Sequence, residues 1–554
     1  MPKVMQLDPR DNVLIALEDL PAGETVRLGD KTWTLVTSVP CKHKVVIQAR
    51  QPGDPVLMYG VLVGRAREPI AAGAVLTVAN LQHDSSDFSS NRRSQAEPTA
   101  LPSDLLSAWR RKEFLGYRRA DGQVGTRNYW LVIPLVFCEN RNIATLREAF
   151  EEELGFAAPS RYRRQVAHLA RLYREGQADD SAAAEVAELQ TNLENSSKRI
   201  FESVDGLRFL MHEGGCGGTR EDARNLCALL AGYLHHPNVA GATVLSLGCQ
   251  NSQAAILMDE LQKRDPAFCK PLVLLDQQTI GTESALMDRA IRETFSGLVQ
   301  ANKHGRAPAP LSGLTLGLKC GGSDGFSGIS ANPAIGHTSD LLVALGGKTI
   351  LAEFPELCGV EQSLVDRCLT QTSADRFVAL MRDYAARARA VRSGLEMNPS
   401  PGNIQDGLIT DAMKSAGAAR KGGTAPVAAV LDYPEYAVTP GLNLLCTPGN
   451  DVECVTGQVG AGSSIVLFTT GLGTPTGNPI APVVKIATNT PLAQRMSDII
   501  DIDTGPIIAG QITIEQMGEQ ILSKVVEVAS GTVRTRAEQL GQYDFIPWKR
   551  GVSL

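Results

Sequence analysis

From residue 129 to the C-terminus, short apolar runs alternate with segments that have the spacing of amphipathic helices. This alternation predicts parallel sheets, because strands that are joined through helices run in the same direction. The first group of predicted strands is 130–137, 207–211, 242–247 and 271–275, with a helix at 252–263. The second group is 314–318, 348–351, 427–431 and 464–468, with helices at 359–369 and 514–530. We therefore expect an α/β fold with mainly parallel sheets.

The chain of 554 residues is too long for a single core, and its length predicts about three domains. Residues 1–82 hold short β-type runs that are separated by turn signals, which indicates a small all-β module. A polar stretch follows, and we interpret 83–115 as a linker. The rest divides into an α/β domain at 116–305, with a helical insertion near 160–200, and a C-terminal α/β domain at 306–554.

Charge and hydrophobicity exclude several classes of protein. The formal net charge is -6 and dense Lys/Arg runs are lacking, which argues against a nucleic-acid partner. Residues 1–12 lack the apolar core of a secretory signal, and the longest apolar run, 129–137, is too short to span a bilayer. We expect a cytoplasmic protein without a membrane partner. The 11 cysteines include no C-x-x-C pair, so neither a disulfide framework nor a zinc ribbon is indicated.

The segment 317–328 combines five glycines with Lys319, Cys320, Asp324 and two serines, directly after a predicted strand. Glycines let backbone amides approach a bound anion, while Lys319, Asp324 and Ser327 can supply a charge, a metal ligand and a hydroxyl donor. Ligand sites in parallel sheets lie at the carboxyl ends of strands. We predict such a site here, with a tight strand-to-helix connection as the alternative. The polar segments that follow predicted strands are 249–251, 320–327 and 469–477.

Four cysteines close or follow predicted strands, namely Cys138, Cys216, Cys249 and Cys320. One interpretation is a metal-ligand set that includes His212, because iron and manganese accept imidazole, carboxylate and thiolate ligands. The alternative is that the cysteines simply pack in the interior, as this residue type often does. His43, at the start of a strand in the β module, is a further ligand candidate, with an exposed strand-end histidine as its alternative.

The segment 470–477 invites comparison with a dinucleotide fingerprint, but Thr476 occupies the third glycine position and Pro475 interrupts a helix start. We reject a nicotinamide site and expect a polyhydroxylated or carboxylated ligand at this loop. Two acid pairs have the i, i+2 spacing that an extended backbone directs to one face, although solvated turns explain such pairs equally well. These pairs are Asp451 with Glu453 and Asp501 with Asp503.

Several long motifs resemble the altronate and galactarate dehydratase family, and they occur in the family's order over nearly the whole chain. They are KCGGSDGFSGISANP at 319–333, NPSPGN at 398–403, TPGLNLL at 439–445, TPGND at 447–451 and VKIATN at 484–489. Residues 11–80 resemble the family's N-terminal SAF (β-clip) domain, and 119–128 resembles the opening of its second domain. Lys319 and the run 439–445 look more like the altronate branch, because galactarate enzymes tend to carry glutamine at the position of Lys319.

This resemblance implies a lyase that removes water from C2 and C3 of an aldonate such as altronate and gives a 2-keto-3-deoxy acid. It also implies ferrous iron or manganese, with an iron–sulfur cluster left open, and we expect a homo-oligomer. A metal that chelates the carboxylate and 2-hydroxyl would stabilise the enediolate. A base takes the C2 proton, and an acid protonates the departing 3-hydroxyl.

The resemblance also implies site residues. The predicted catalytic residues are Lys319, His212 and Asp324, with Lys319 or His212 as the base. The predicted substrate contacts are Ser323, Ser327, Asn332, Asn450, Thr470, Thr474, Arg127 and Asn128. The metal ligands predicted from the residues themselves are His43, His212, Cys216, Cys249 and Cys320, with the alternatives given above. Leu472 and Thr476 replace an arginine and a tyrosine of the family's loop, so a carboxylate clamp is missing there.

Three other functions stay open. The chain can be a galactarate (aldarate) dehydratase, a sulfolactate sulfo-lyase that eliminates sulfite, or a sugar-acid-binding protein without catalysis. The fused β module argues against the sulfo-lyase, because that family usually divides the domains between two chains. The polar loop around Cys320 argues against a binding protein, although a fold alone never proves activity.

Overall fold

The N-terminal module is built from short antiparallel strands. In the computed structural model, the described residues of the chain are 3–94, 98–157, 161–176 and 199–553. The module's strands are Val4–Met5, Val13–Ala16, Thr25–Leu28, Lys31–Thr34, Lys44–Val46, Pro55–Met58, Val61–Ala66 and Leu81–Gln82. Val13 and Ile15 share one core with Phe326 and Met413 of the C-terminal domain. The module therefore packs directly on that domain.

The middle domain contains a parallel sheet with the spatial order Gly206–Phe209, Tyr129–Pro134, Val239–Ser246 and Leu272–Asp276. Alternate residues of Tyr129–Pro134 enter two different cores, so all six are buried. Helices on both faces cause this continuous burial and the continuous apolar run in the sequence. The helices are Asn140–Glu153, Arg161–Arg174, Arg220–His235, Ala254–Arg264, Gln277–Ile280 and Glu283–Ala301.

The C-terminal domain contains a larger parallel sheet. Its spatial order is Val427–Leu431, Gly441–Leu445, Lys348–Leu351, Thr315–Cys320, Ile465–Thr470, Val483–Ala487 and Ile502–Asp503. After the central strand Thr315–Cys320, the chain adds Lys348–Leu351 beside it, then the edge strand Val427–Leu431, and then Gly441–Leu445 between these two. It next crosses to the other side of the central strand, which creates a topological switch point there. The helices are Ala331–Ala344, Glu361–Arg367, Gln371–Ala390, Pro401–Gln405, Asp411–Ala418, Asp451–Gly460, Thr490–Arg495, Gly505–Ile508, Ile514–Ala529 and Arg536–Leu540.

A small antiparallel sheet connects the start of the middle domain with the start of the C-terminal domain, because Glu113–Arg118 pairs with both Val124–Gly125 and Ala307–Pro310. The preceding segment, which we interpreted as a linker, contains the helix Ser103–Arg110. Part of it is held on the C-terminal domain, since the Ser89 amide donates to Gln362 at 2.9 Å.

The α/β fold with parallel sheets and an N-terminal β module is confirmed. The predicted strand 130–137 ends at Pro134, because a short 3-10 turn, Phe137–Glu139, starts the next helix. Asp451 and Glu453 lie in the first turn of a helix and not on an extended strand, since Asn450 accepts hydrogen bonds from the Val452 and Glu453 amides and caps that helix. Of the predicted insertion near 160–200, Arg161–Arg174 is helical and 177–198 lies outside the described residues.

Candidate active site

The carboxyl ends of three neighbouring strands bring several charged residues together at the switch point of the C-terminal sheet. Lys319 and Cys320 end the central strand, and Glu353 follows the adjacent strand Lys348–Leu351 after one residue. Glu353 has a φ of 67°, a left-handed conformation that costs energy for a residue other than glycine. Gly321 lets this loop pass close to Asp451, since a Cβ there would lie 2.4 Å from an Asp451 carboxylate oxygen.

These residues form a lysine–carboxylate cluster, which we define as Lys319, Cys320, Glu353, Glu356, Lys414, Lys421 and Asp451. Lys319 Nζ donates to Glu353 Oε1 and lies 2.9 Å from Asp451 Oδ1. The second Glu353 oxygen lies 3.1 Å from Lys421 Nζ. All members except Asp451 are buried, and 27% of the Asp451 side chain is exposed. Asp451 is therefore the member that reaches the surface.

Glu356 and Cys320 complete the cluster. Glu356 Oε1 lies 2.8 Å from Lys414 Nζ, and its Oε2 accepts from the Cys320 thiol at 3.2 Å. The Cys320 sulfur in turn accepts from Lys421 Nζ at 2.7 Å. Each carboxylate oxygen of Glu353 and Glu356 thus has a hydrogen-bond donor.

Burial and neighbouring charges set the protonation states in the cluster. Burial alone would lower the pKa of Lys319, but the charges of Glu353 and Asp451 raise it well above its ordinary value, so Lys319 is an ammonium ion. Burial and the charge of Glu356 raise the pKa of Glu353. Burial opposes ionisation of Glu356 too, yet the Lys414 charge lowers its pKa to about 2. Burial raises the pKa of the Cys320 thiol to about 12, which keeps it protonated.

Asp324 lies in a second polar group, which ties the β module to the C-terminal domain. Its carboxylate lies 3.0 Å from Lys42 Nζ and accepts from the Thr488 and Ser327 hydroxyls at 3.1 Å and 3.0 Å. A Cβ at Gly471 would lie 2.2 Å from Asp324 Cγ, so the 470–477 loop approaches closely only with glycine. Asp324 therefore has protein partners on several sides.

A cavity of about 540 Å³ opens between the β module and the C-terminal domain. Lys42, Gly471, Leu472, Asn489 and Arg495 are among the residues that line it. The 470–477 loop borders both this cavity and Gly322 of the glycine-rich loop, where the Leu472 side chain is near. The 470–477 loop thus lies between the cavity and the glycine-rich loop that follows Cys320, and the cavity lining does not include Lys319 or Asp451.

The predicted substrate contacts divide into two groups. Thr470 and Thr474 lie beside Gly322 in the glycine-rich loop, and Asn450 caps the helix that carries Asp451. The Ser323 hydroxyl is buried and has no hydrogen-bond partner among the described residues. Asn332 is occupied by Gly417 and Thr469, at 3.0 Å and 2.7 Å.

Arg127 and Asn128 lie in a different part of the molecule. The Arg127 guanidinium makes two hydrogen bonds to Glu538, at 2.8 Å and 3.0 Å, in the interior. Asn128 donates to the carbonyls of Ser203 and Ala301. Both residues connect segments of the chain.

The structure places the two predicted histidines apart from the cluster. His212 Nε2 lies 2.7 Å from the Pro134 carbonyl, and Nδ1 accepts from the Gly214 amide at 3.0 Å. Both ring nitrogens therefore have backbone partners, and burial lowers the His212 pKa to about 4. His43 is half-buried in the β module, with Nδ1 3.3 Å from the Cys41 carbonyl.

The structure offers a three-member donor set for a metal ion within the cluster. Donor atoms of Cys320, Glu353 and Glu356 lie within 4.8 Å of one another. Their carboxylate oxygens already bind Lys319, Lys414, Lys421 and the Cys320 thiol, so a cation would have to displace ammonium groups and deprotonate the thiol. This arrangement does not fit a divalent metal ion. Among the described residues, the structure does not join Cys320 to Cys216, Cys249, His43 or His212 in such a set.

Sequence reasoning missed Glu353, Glu356, Lys414 and Lys421. Glu353 follows a predicted strand, so the rule about carboxyl ends of strands was a usable signal for it. Lys414 and Lys421 come from the helix Asp411–Ala418 and the next turn, far along the chain, and local sequence does not mark their approach.

Comparisons with known proteins agree with this architecture. The altronate/galactarate dehydratase SAF domain matches residues 2–84, and the second domain of D-galactarate dehydratase/altronate hydrolase matches 116–302. The C-terminal domain of D-galactarate/altronate dehydratase matches 311–553. Three matches in this order define a protein with an SAF module in front of two α/β domains.

Similar proteins match along almost the whole length. Altronate dehydratase of Escherichia coli (strain K12) is 34% identical, over 98% of this chain and 98% of the relative. Altronate dehydratase of Bacillus subtilis (strain 168) is 31% identical over 100% of both chains. Galactarate dehydratase (L-threo-forming) of Escherichia coli (strain K12) is 28% identical over 96% of this chain and 94% of the relative. The chain belongs to the altronate/galactarate dehydratase family. Within the described ranges, every helix is too short or too polar to cross a bilayer.

Proposed function

We propose that this chain is a hydro-lyase that removes water from a sugar acid, an aldonate such as D-altronate, and yields a 2-keto-3-deoxy acid. The full-length similarity to two altronate dehydratases supports this proposal. The observation that carries it is the pair of Lys319 and Asp451 at the switch point of the sheet, 2.9 Å apart. It places a buried ammonium ion beside a carboxylate that reaches the surface.

These two groups suit the difficult step of the reaction. A base removes the C2 proton, the C–H electron pair forms the C2–C3 double bond, and the C3 hydroxyl is protonated and leaves as water. The enol then tautomerises to the 2-keto acid. Asp451 acts as the proton acceptor, while the Lys319 ammonium stabilises the negative charge that develops on the substrate carboxylate. Lys319 acts as a cation and not as a base, because it is already protonated.

Dependence on ferrous iron or manganese is a further part of the proposal. The lysine–carboxylate cluster does not fit such an ion, so the metal would bind at other residues. A cytoplasmic location and a homo-oligomer complete the proposal, and size-exclusion chromatography with light scattering tests the assembly.

The test is an anaerobic assay of a panel of aldonates and aldarates, with ferrous iron, manganese or chelator, that detects 2-keto-3-deoxy acids. We expect product from an aldonate and loss of product with chelator. Lys319→Met and Asp451→Asn should lower kcat by about 10²- to 10³-fold, as for removal of one group that stabilises transition-state charge. Lys524→Met, at a partly exposed lysine on another helix, is the matched control and should change little.

Two results would contradict the proposal. One is unchanged turnover in folded Asp451→Asn protein, and the other is a complete lack of conversion of every sugar acid while sulfolactate reacts. An aldarate is the second candidate substrate, because Arg495 lines the cavity and can hold a second carboxylate. Preferred conversion of galactarate would favour that candidate.

A further inference from the structure

Three cysteines lie in loops at one edge of the parallel sheet of the middle domain, whereas the lysine–carboxylate cluster belongs to the sheet of the C-terminal domain. Cys138, Cys216 and Cys249 follow Tyr129–Pro134, Gly206–Phe209 and Val239–Ser246, which are neighbouring strands of one parallel sheet. Because parallel strands end at the same edge, the three loops also share that edge.

Backbone hydrogen bonds hold these loops against one another. The Phe137 amide, next to Cys138, donates to the Gly214 carbonyl at 3.0 Å. The Asn251 amide, two residues after Cys249, donates to the Gly215 carbonyl at 2.9 Å, and Gly215 precedes Cys216. Every cysteine of the three therefore lies within two residues of a hydrogen bond to Gly214 or Gly215.

Gly215 explains how the loops come so close. Its φ is +100°, and a Cβ at this position would lie 2.3 Å from the Leu135 carbonyl oxygen. A side chain at 215 would push apart the loops that carry Cys138 and Cys216. The sequence thus has glycine where the loops that carry Cys138 and Cys216 approach each other.

The exposure of these cysteines is unusual for the residue type. All 11 cysteines lie within the described ranges and none forms a disulfide; only Cys138, Cys216, Cys249 and Cys269 are exposed. Cysteine is among the most buried residues, so packing does not account for three exposed thiols at one edge. Cys269 precedes the strand Leu272–Asp276 and lies at the opposite edge.

The three cysteines also share their position relative to the helices of the middle domain. Each of the three cysteines precedes the N-terminus of a helix of at least 11 residues, namely Asn140–Glu153, Arg220–His235 and Ala254–Arg264. Thiolate sulfur is the ligand that iron–sulfur clusters use.

We propose that Cys138, Cys216 and Cys249 bind an iron–sulfur cluster through their three thiolates. Three protein ligands leave one iron of a four-iron cluster open to a hydroxyl group or water. The use of this iron as a Lewis acid toward a departing hydroxyl rests on the proposed function. Binding of the iron–sulfur cluster does not rest on the proposed function. It would also supply the iron that we propose and that the lysine–carboxylate cluster does not fit.

The test begins with full-length protein that is purified under nitrogen from iron-supplemented cells. We expect iron and acid-labile sulfide in similar amounts, with visible charge-transfer absorption and an electron paramagnetic resonance signal after reduction by dithionite. Cys138→Ser, Cys216→Ser and Cys249→Ser should each lose most of the iron and sulfide. Cys269→Ser, at the other exposed cysteine, should keep both.

A measurement on the wild-type protein avoids the folding of variants. Iodoacetamide should label only Cys269 among the four exposed thiols of the iron-loaded protein, and all four after the iron is removed. Zinc alone, iron without sulfide, or equal labelling before and after iron removal would overturn the proposal. The outcomes separate the two proposals. If the protein dehydrates a sugar acid but contains no acid-labile sulfide, only the iron–sulfur proposal is refuted. If it binds an iron–sulfur cluster but converts no sugar acid, only the dehydratase proposal is refuted.

Discussion

The substitution Arg127→Met tests whether Arg127 connects domains or binds substrate. Its guanidinium and the Glu538 carboxylate are only 3% and 5% exposed and share two hydrogen bonds, at 2.8 Å and 3.0 Å. Removal of the cation leaves a buried carboxylate without its partner, which costs about 3–5 kcal/mol. We expect a loss of that size in the free energy of unfolding of the segment that contains Trp130. Urea titration with tryptophan fluorescence measures it, with hydrogen exchange to locate the transition.

A matched control separates burial from the mere presence of an ion pair. Arg376 and Glu435 lie 2.7 Å apart but are 42% and 45% exposed, so Arg376→Met should cost at most about 1 kcal/mol. The double variant Arg127→Met/Glu538→Gln removes both charges and should recover part of the stability. KM of folded Arg127→Met protein should match the wild type. Equal costs for both arginine variants, or a large rise in KM without loss of stability, would refute the reasoning.

Two further predictions concern the loops and charges of the candidate site. Gly471→Ala should lower both kcat and the melting temperature, because its Cβ would lie 2.2 Å from Asp324 Cγ, whereas Gly305→Ala, with open space around it, should change neither. Stability should fall as the pH falls from the ordinary pKa of Glu356, 4.5, toward its folded value of about 2, since the carboxylate is stabilised only when ionised. In acid unfolding experiments, Glu356→Gln should make stability depend less on pH. An unchanged slope of stability against pH would contradict this prediction.

The sequence predicts the strands of the sheets correctly where consecutive buried residues are apolar. Lys348–Leu351 and Val427–Leu431 have the bounds that the sequence predicts. Val483–Ala487 was not predicted as a strand, because Lys485 interrupts its apolar run. That lysine is nevertheless buried, and it donates to the Thr474 carbonyl at 2.8 Å. A charge that is satisfied by distant backbone groups is invisible to local periodicity.

The candidate site was predictable only in part. The glycine-rich loop and Lys319 follow from the position of a strand end, and the structure places them at the switch point of the sheet. The metal-ligand hypothesis grouped Cys320 with other cysteines because all of them follow strands. Two separate sheets carry those strands, and a sequence without contact information does not assign strands to sheets. Three cysteines consequently share one edge, while Cys320 packs between Glu356 and Lys421.

The charge of the lysine–carboxylate cluster predicts how the affinity for an anionic ligand depends on pH. Burial and Glu356 already raise the pKa of Glu353, and a substrate carboxylate beside Lys319 would raise it further. Binding then takes up a proton, so by linkage the affinity falls as the pH rises through the pKa range of Glu353. Calorimetric titration of an unreactive substrate analogue, in buffers of different ionisation enthalpy, measures this uptake, and Glu353→Gln should abolish it. Proton release, or affinity that increases with pH, would place the anion outside this cluster.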